Sequence, residues 1–107
     1  MKLILAIVSN DDSASVSASL NNNSFQVTKL ATTGGFLSLG NTTLIFGCED
    51  DQVDHAIEII GKESKRRTEI APSTASFMSG EFSPMPIEVT VGGATIFVLD
   101  VDKFMKL

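Results

Sequence analysis

Cysteine and histidine are almost absent from this chain of 107 residues, which contains one of each. Cys48 therefore has no second cysteine for an internal disulfide, and His55 has no neighbours at metal-ligand spacing. The sequence also lacks a P-loop and any motif that sets a nucleophile beside a base. These absences exclude the common catalytic and metal-binding classes, so we expect a protein that is not an enzyme, with no catalytic residues, no metal and no cofactor.

Basic residues are also scarce. The chain has 8 lysines and arginines and 13 aspartates and glutamates, which gives a formal net charge of −5. Such a charge disfavours nucleic acid polymers and anionic membranes as partners. It still allows a small anionic ligand, because backbone N–H groups can attract an anion locally. The apolar residues 3–8 are too few for a membrane span and lack the flanks of a signal peptide. We therefore expect a cytoplasmic protein.

Hydrophobic patterning predicts three strands in the first half of the chain. Residues 2–8 are predicted to form a central strand buried on both faces, because residues 3–8 are a continuous apolar run. Residues 25–33 and 42–48 are rich in β-branched and aromatic side chains and are also predicted strands. A glycine-flanked loop, residues 34–40, separates the last two.

The segment between the first two predicted strands is ambiguous. In residues 13–20, serines alternate with apolar residues, and that period of two fits a strand. However, residues 10–12 supply the Asn and Asp side chains that begin helices. We therefore favour a short helix that buries Val16 and Leu20.

A clearer helix begins at residues 49–51, whose acidic side chains complement the positive end of the helix dipole. Its predicted apolar face consists of Val53, Ala56, Ile57 and Ile60. His55 lies off this face and is interpreted as an exposed bystander. Asp50 and Asp51 are interpreted as capping residues rather than a catalytic carboxylate pair.

The periodicity disappears over residues 68–86, which we interpret as a long loop that is either functional or mobile. Residues 87–91 and 94–99 are then predicted to form a hairpin around Gly92–Gly93, because glycine accepts positive φ at both central positions of such a turn. Residues 101–104 are predicted to form a short turn or helix.

The predicted order gives an α+β protein, a ferredoxin-like βαββαβ sandwich, with residues 1–107 as a single domain. The helices of such a fold cover one face of the sheet. The other face also carries apolar residues, and a chain of this length has too few elements to cover it. We therefore expect a homo-oligomer that buries this face.

The most distinctive motif is KLATTGGFL (residues 29–37), which GNTT (residues 40–43) follows closely. Its glycines allow a ligand to approach the backbone, its threonines and asparagine offer hydrogen bonds, and Phe36 offers a flat face. Stacking of a base on such a ring contributes roughly 1–3 kcal/mol. From the residues alone, a tight turn whose phenylalanine packs into the core is an equally good reading.

These two motifs, with the opening MKLILAIV and the ending EVTVGGATIFVLDVDKF, resemble the PII-like cyclic di-AMP receptor family over nearly the whole chain. The resemblance implies a PII-like homotrimer that binds cyclic di-AMP in clefts between subunits and signals to an unidentified protein partner through its loops. The ligand-binding residues that it implies are Gln26, Thr28, Gly35, Phe36, Leu37, Asn41, Gly47 and, as a wall of the cleft, Phe97.

Three positions depart from the family pattern. Asparagine is common in the family where this chain has Ser24, and arginine is expected where it has Gln26 and Ser38. Glutamine keeps a hydrogen bond but loses the charge-assisted contact that arginine makes with a phosphate. Two alternatives therefore stay open: a PII-type sensor of another adenine nucleotide, and a trimeric docking scaffold without a ligand.

Overall fold

The computed structural model describes residues 1–30, 40–72 and 86–107. Along the chain, its elements are β1 (Lys2–Ser9), α1 (Asn10–Asn22), β2 (Thr28–Leu30), β3 (Asn41–Cys48), a 3₁₀ turn (Asp50–Gln52), α2 (Val53–Glu63), β4 (Arg67–Pro72), β5 (Pro86–Val91) and β6 (Ala94–Asp100). The second strand is shorter than predicted at its start, and residues 31–33 of that prediction lie outside the described residues.

Within the described residues, the main sheet has the strand order β2-β3-β1-β6, and each neighbouring pair is antiparallel. α1 and α2 pack on one face of this sheet. β4 and β5 pair with each other as a separate ribbon, inserted between α2 and β6. The predicted α+β class is confirmed, and the order of the main elements is that of a ferredoxin-like sandwich.

Alternate residues of β1 build the core. Ile4, Ala6 and Val8 are fully buried under the helices. The residues between them on the strand, Leu3, Leu5 and Ile7, are only half-buried. β1 is therefore the central strand that the apolar run predicts, but within one protomer only one of its faces is fully covered. The helices contribute Val16, Leu20, Ala56, Ile59 and Ile60 to the core.

The ambiguous segment is a helix, α1. Its N-cap is Ser9, whose hydroxyl oxygen accepts a hydrogen bond from the Asp11 backbone N–H at 3.2 Å. Val16 and Leu20 are buried as predicted. Packing against the sheet thus decides between two local patterns, because most of the stability of a protein helix comes from tertiary contacts.

α2 follows a capping box in which the Glu49 backbone N–H donates to the Gln52 side-chain oxygen at 3.2 Å. The predicted apolar face is correct for Ala56 and Ile60 but wrong for Ile57, which is 37% exposed. Ile59 is buried instead. Ile57 and Ile59 flank the Ala56–Ile60 line on opposite sides of the helix, and packing in the core selects Ile59.

The structure contradicts two predictions: the loop over residues 68–86 and the hairpin between residues 87–91 and 94–99. β4 begins at Arg67 and pairs with β5, while β6 pairs with β1 in the main sheet. Gly92 and Gly93 do have positive φ, 85° and 79°, but they direct the chain from the ribbon into the main sheet. Residues 73–85 lie outside the described residues, and residues 101–104 contain a bend rather than a helix.

A partly buried ion pair holds the base of the ribbon against α1. Asp12, which is 6% exposed, accepts hydrogen bonds from both terminal nitrogens of Arg67, at 3.0 and 3.4 Å. Arg67 also donates to the Lys65 carbonyl at 3.1 Å. The Gly93 backbone N–H donates to the Ser64 carbonyl on the same side. The chain before β4 and the turn before β6 are therefore tied together.

Replacing Gly92 by alanine is expected to destabilise this junction. An added Cβ would lie 2.6 Å from the Lys65 carbonyl oxygen, at a positive φ that disfavours L side chains. We expect the free energy of unfolding to fall by about 2 kcal/mol, measured by urea denaturation.

The matched control is Gly61→Ala in α2, where no atom lies within 4 Å of the added Cβ. Because alanine is the better helix former, this variant is expected to gain up to about 1 kcal/mol. Equal effects of the two substitutions would contradict the assigned role of Gly92.

Candidate functional site

The face of the main sheet opposite the helices carries apolar residues in register. One cross-strand row runs from Thr28 through Ile45 and Leu5 to Phe97. Phe97 is 52% exposed, and Leu99, two residues along the same strand, is 44% exposed. We call this surface, formed by the outward-facing residues of β2, β3, β1 and β6, the open face.

One end of the open face contains a groove of about 450 Å³, which we call the Gly47 groove. Its described lining consists of Met1, Leu3, Ser24, Gln26, Thr28, Ile45, Phe46, Gly47 and Phe104. Three of the predicted ligand-binding residues, Gln26, Thr28 and Gly47, meet here. Strand register brings them together, because Thr28 pairs with Ile45, two residues before Gly47.

The end of α1 directs the chain into this groove. Ser24 has a φ of 71° and donates its backbone N–H to the Asn21 carbonyl at 3.1 Å. Phe25 donates its backbone N–H to the Leu20 carbonyl at 3.0 Å, and both of these side chains are buried. This is a Schellman motif, and it anchors Phe25 in the core while Gln26 stays exposed. Asparagine tolerates this left-handed position well.

The lining of the Gly47 groove suits an uncharged, planar ligand group that has hydrogen-bonding atoms along its edge. Ser24, Gln26 and Thr28 provide hydroxyl and amide hydrogen bonds, and Leu3 and Ile45 provide apolar walls. Among its described lining residues, none has a charged side chain. The volume is in the range of small-molecule pockets. A purine base fits this combination better than a phosphate does.

Gly47 keeps the groove open. A Cβ added there would lie 3.8 Å from the Lys2 carbonyl oxygen and 3.8 Å from the Met1 methyl carbon. These are ordinary van der Waals contacts, so the backbone itself does not require glycine at this position. The missing side chain instead leaves space on the open face.

A second, smaller pocket of about 170 Å³ lies at the opposite end of the open face, and we call it the Arg66 pocket. Its lining consists of Ile7, Ser9, Asn41, Arg66, Gly92, Gly93, Ala94 and Thr95. Asn41 therefore lies apart from the other predicted site residues. It is six positions from Gly47 along β3, a distance of about 20 Å at the usual rise of a strand.

The remaining predicted residues divide into two groups. Phe97 lies on the open face, in the same row as Thr28, but is absent from the described lining of both pockets. Gly35, Phe36 and Leu37 lie outside the described residues. Sequence reasoning missed Phe104 as a lining residue, because the C-terminal segment has no periodic pattern that points to the sheet.

Cys48 and His55 line neither described pocket. Burial, with Glu49 and Asp50 nearby, raises the pKa of the Cys48 thiol, which disfavours thiolate chemistry. The exposed His55 ring lies 6.1 Å from the Phe25 ring. In the part of the chain that the structure describes, no three potential metal ligands converge, and no helix is long and apolar enough to cross a bilayer.

The fold and its pockets define a class: a ferredoxin-like protein whose concave sites lie on the uncovered face of its sheet. The family model of the cyclic-di-AMP receptor matches residues 1–107, the whole chain, and the chain belongs to that family. The predicted recognition is therefore confirmed. The chain is also similar to a functionally unknown protein from Pediococcus pentosaceus ATCC 25745. The two share 42% identity over 99% of this chain and 96% of that one, with a TM-score of 0.75.

Filling the Gly47 groove is expected to block it without unfolding the chain. Gly47→Ala and Gly47→Val introduce side chains of increasing size at a position with room for a Cβ. We expect affinity for cyclic di-AMP to fall stepwise, by about 10- to 100-fold for valine, the range that overpacking produces. Titration calorimetry measures the affinity, and thermal unfolding checks the fold.

Thr68→Val serves as the control, because it places the same side chain at an exposed strand position outside the described groove lining. Its affinity is expected to match that of the unmodified chain. An unchanged affinity of Gly47→Val would show that the Gly47 groove is not part of the ligand-binding site.

Proposed function

We propose that this protein is a signalling receptor that binds cyclic di-AMP in clefts between the subunits of a homotrimer. Family membership supports the ligand class. The observation that carries the proposal is the position of the Gly47 groove and the Arg66 pocket, which lie at the two ends of one exposed apolar face. Copies that cover this face would turn both depressions into inter-subunit clefts.

The distance within one protomer supports a shared site. Asn41 and Gly47 are about 20 Å apart along an extended strand, yet the family resemblance implies that both contact the ligand. Residues contributed by different copies resolve this conflict. Phe97, exposed on the sheet between the two ends, then lies where subunits pack, which is the role of a wall rather than of a direct partner.

The proposed roles follow the chemistry of each residue. Gln26 and Thr28 hydrogen-bond the edge of one adenine in the Gly47 groove, and Gly47 leaves room for the ring. Phe36, with its neighbours Gly35 and Leu37, holds a base by stacking, as the family resemblance implies. Ligand binding then shifts residues 34–40 and the ribbon of β4 and β5, and a protein partner recognises that change. Such signalling requires that the ligand favours one loop arrangement over another.

A receptor for another adenine nucleotide is the second candidate. Gln26, in place of an arginine, leaves this candidate open, because no side chain in the described lining of the Gly47 groove is charged. A purine groove of this kind would accept the base of ATP or ADP equally well. The choice of ligand therefore depends on what holds the phosphates.

Titration calorimetry with cyclic di-AMP, ATP and ADP tests the proposal. We expect cyclic di-AMP to bind in the micromolar range or tighter, with as many ligands as protomers, and at least about tenfold more tightly than the other two. Tighter binding of ATP or ADP would favour the second candidate. If none of the three ligands produces a binding heat, the remaining alternative is a docking scaffold without a ligand.

Phe97→Glu tests the proposed assembly. A carboxylate on the open face would have to lose its hydration when copies pack, at a high cost in free energy. We expect light scattering after gel filtration to show a shift from trimer to monomer, together with loss of cyclic di-AMP binding.

Ile57→Glu is the matched control, because Ile57 is also an exposed apolar residue but lies on α2, on the other side of the sheet. It is expected to remain a trimer. A monomeric mass for the unmodified chain, or a trimeric Phe97→Glu, would contradict assembly through the open face.

A further inference from the structure

The Arg66 pocket combines one cation with neutral hydrogen-bonding groups. Arg66 is the charged side chain of its described lining, and Ser9, Asn41 and Thr95 add hydroxyl and amide groups. At about 170 Å³, the pocket is smaller than most small-molecule sites, which range from about 300 to 1,000 Å³. A single phosphate group suits this size and polarity better than a purine does.

The neighbouring side chains of Arg66 and Arg67 differ in their interactions. Arg67 is held by Asp12 in the ion pair at the base of the ribbon. Arg66 is exposed, and no ion pair with it occurs within residues 1–30, 40–72 and 86–107. Its guanidinium is therefore available to an anion, while that of Arg67 is committed to the fold.

The Arg66 side chain lies close to the backbone of Gly93. A Cβ added to Gly93 would lie 3.7 Å from the Arg66 Nε atom. The Arg66 side chain thus lies against the turn between the ribbon and β6, and Thr95 lines the same pocket. A planar guanidinium can donate two parallel hydrogen bonds to phosphate oxygens.

We propose that Arg66 binds a phosphate of the nucleotide, with Asn41, Ser9 and Thr95 supplying further hydrogen bonds. This inference rests on the proposed function and deepens it. The Gly47 groove of one copy takes the base, and the Arg66 pocket of a neighbouring copy takes the phosphate. Arg66 thereby supplies the positive charge that Gln26 does not.

The decisive variant is Arg66→Gln, with Lys65→Gln as the control. Lys65 is the adjacent residue, is exposed, and is absent from the described lining of the pocket, so both variants lose one positive charge. We expect Arg66→Gln to weaken cyclic di-AMP binding by about 10- to 100-fold, the value of a charge-assisted hydrogen bond. Lys65→Gln should change affinity by less than about threefold, and Arg66→Lys should restore part of the loss.

A ligand series separates this inference from the proposed function. Calorimetry with cyclic di-AMP, AMP and adenosine is run on each variant, at low and high salt. The inference predicts that Arg66→Gln weakens the two phosphate-bearing ligands and reduces their salt dependence, while adenosine binding stays unchanged. Amide NMR signals of Gly93 and Thr95 are expected to shift with AMP but not with adenosine.

Each outcome decides one of the two claims. If cyclic di-AMP binds and Arg66→Gln matches Lys65→Gln, the phosphate assignment is overturned and the receptor function stands. If cyclic di-AMP fails to bind but AMP binds in an Arg66-dependent way, the ligand choice is overturned and the phosphate assignment stands. If no phosphate-bearing ligand binds, both are overturned.

Discussion

A sheet built from alternating apolar residues has two faces to bury, and the helices of this chain cover one of them. Ile4 and Ala6 lie beneath the helices, whereas Leu5 and Phe97 remain on the other side. Burial of apolar area contributes roughly 25 cal/mol per Å². Covering the apolar residues of the open face would therefore lower the free energy of the chain. Because both pockets lie at the ends of this face, the proposed subunit association and the proposed ligand binding would depend on the same surface.

The junction between the ribbon and the main sheet connects this surface to the rest of the chain. Gly92 and Gly93 line the Arg66 pocket and also turn the chain from β5 into β6. The Asp12–Arg67 ion pair fixes the start of the ribbon a few residues away. A ligand bound in this pocket would therefore contact the turn that joins the ribbon to β6. Such a contact can bias the ribbon only if the ligand binds one of its positions better than another.

The sequence predicts the elements of this fold better than it predicts their partners. Gly92 and Gly93 indicate positive φ correctly, because that preference is local. The predicted hairpin is wrong, because β6 pairs with β1 in the main sheet, where Ile96 packs against the core, and a local pattern does not reveal such distant pairing. Site residues divide in the same way. The family resemblance points to Gln26 and Gly47. The sequence of residues 65–67 indicates only a basic helix end that is either solvated or faces a partner or a phosphate, because the pocket that Arg66 lines forms only when distant strands align.

Charge offers a physical basis for choosing among adenine nucleotides. The chain carries a net charge of −5, so an anionic ligand meets general repulsion that local groups must overcome. Cyclic di-AMP spreads its charge over two separate phosphodiesters, whereas ATP concentrates more charge on one triphosphate chain. A pocket with the size of one phosphate and a single guanidinium in its described lining suits the first pattern. It would leave much of a triphosphate unpaired near an acidic protein. The replacement of arginine by Gln26 therefore does not by itself favour ATP, because Arg66 at the other end of the face can provide the charge.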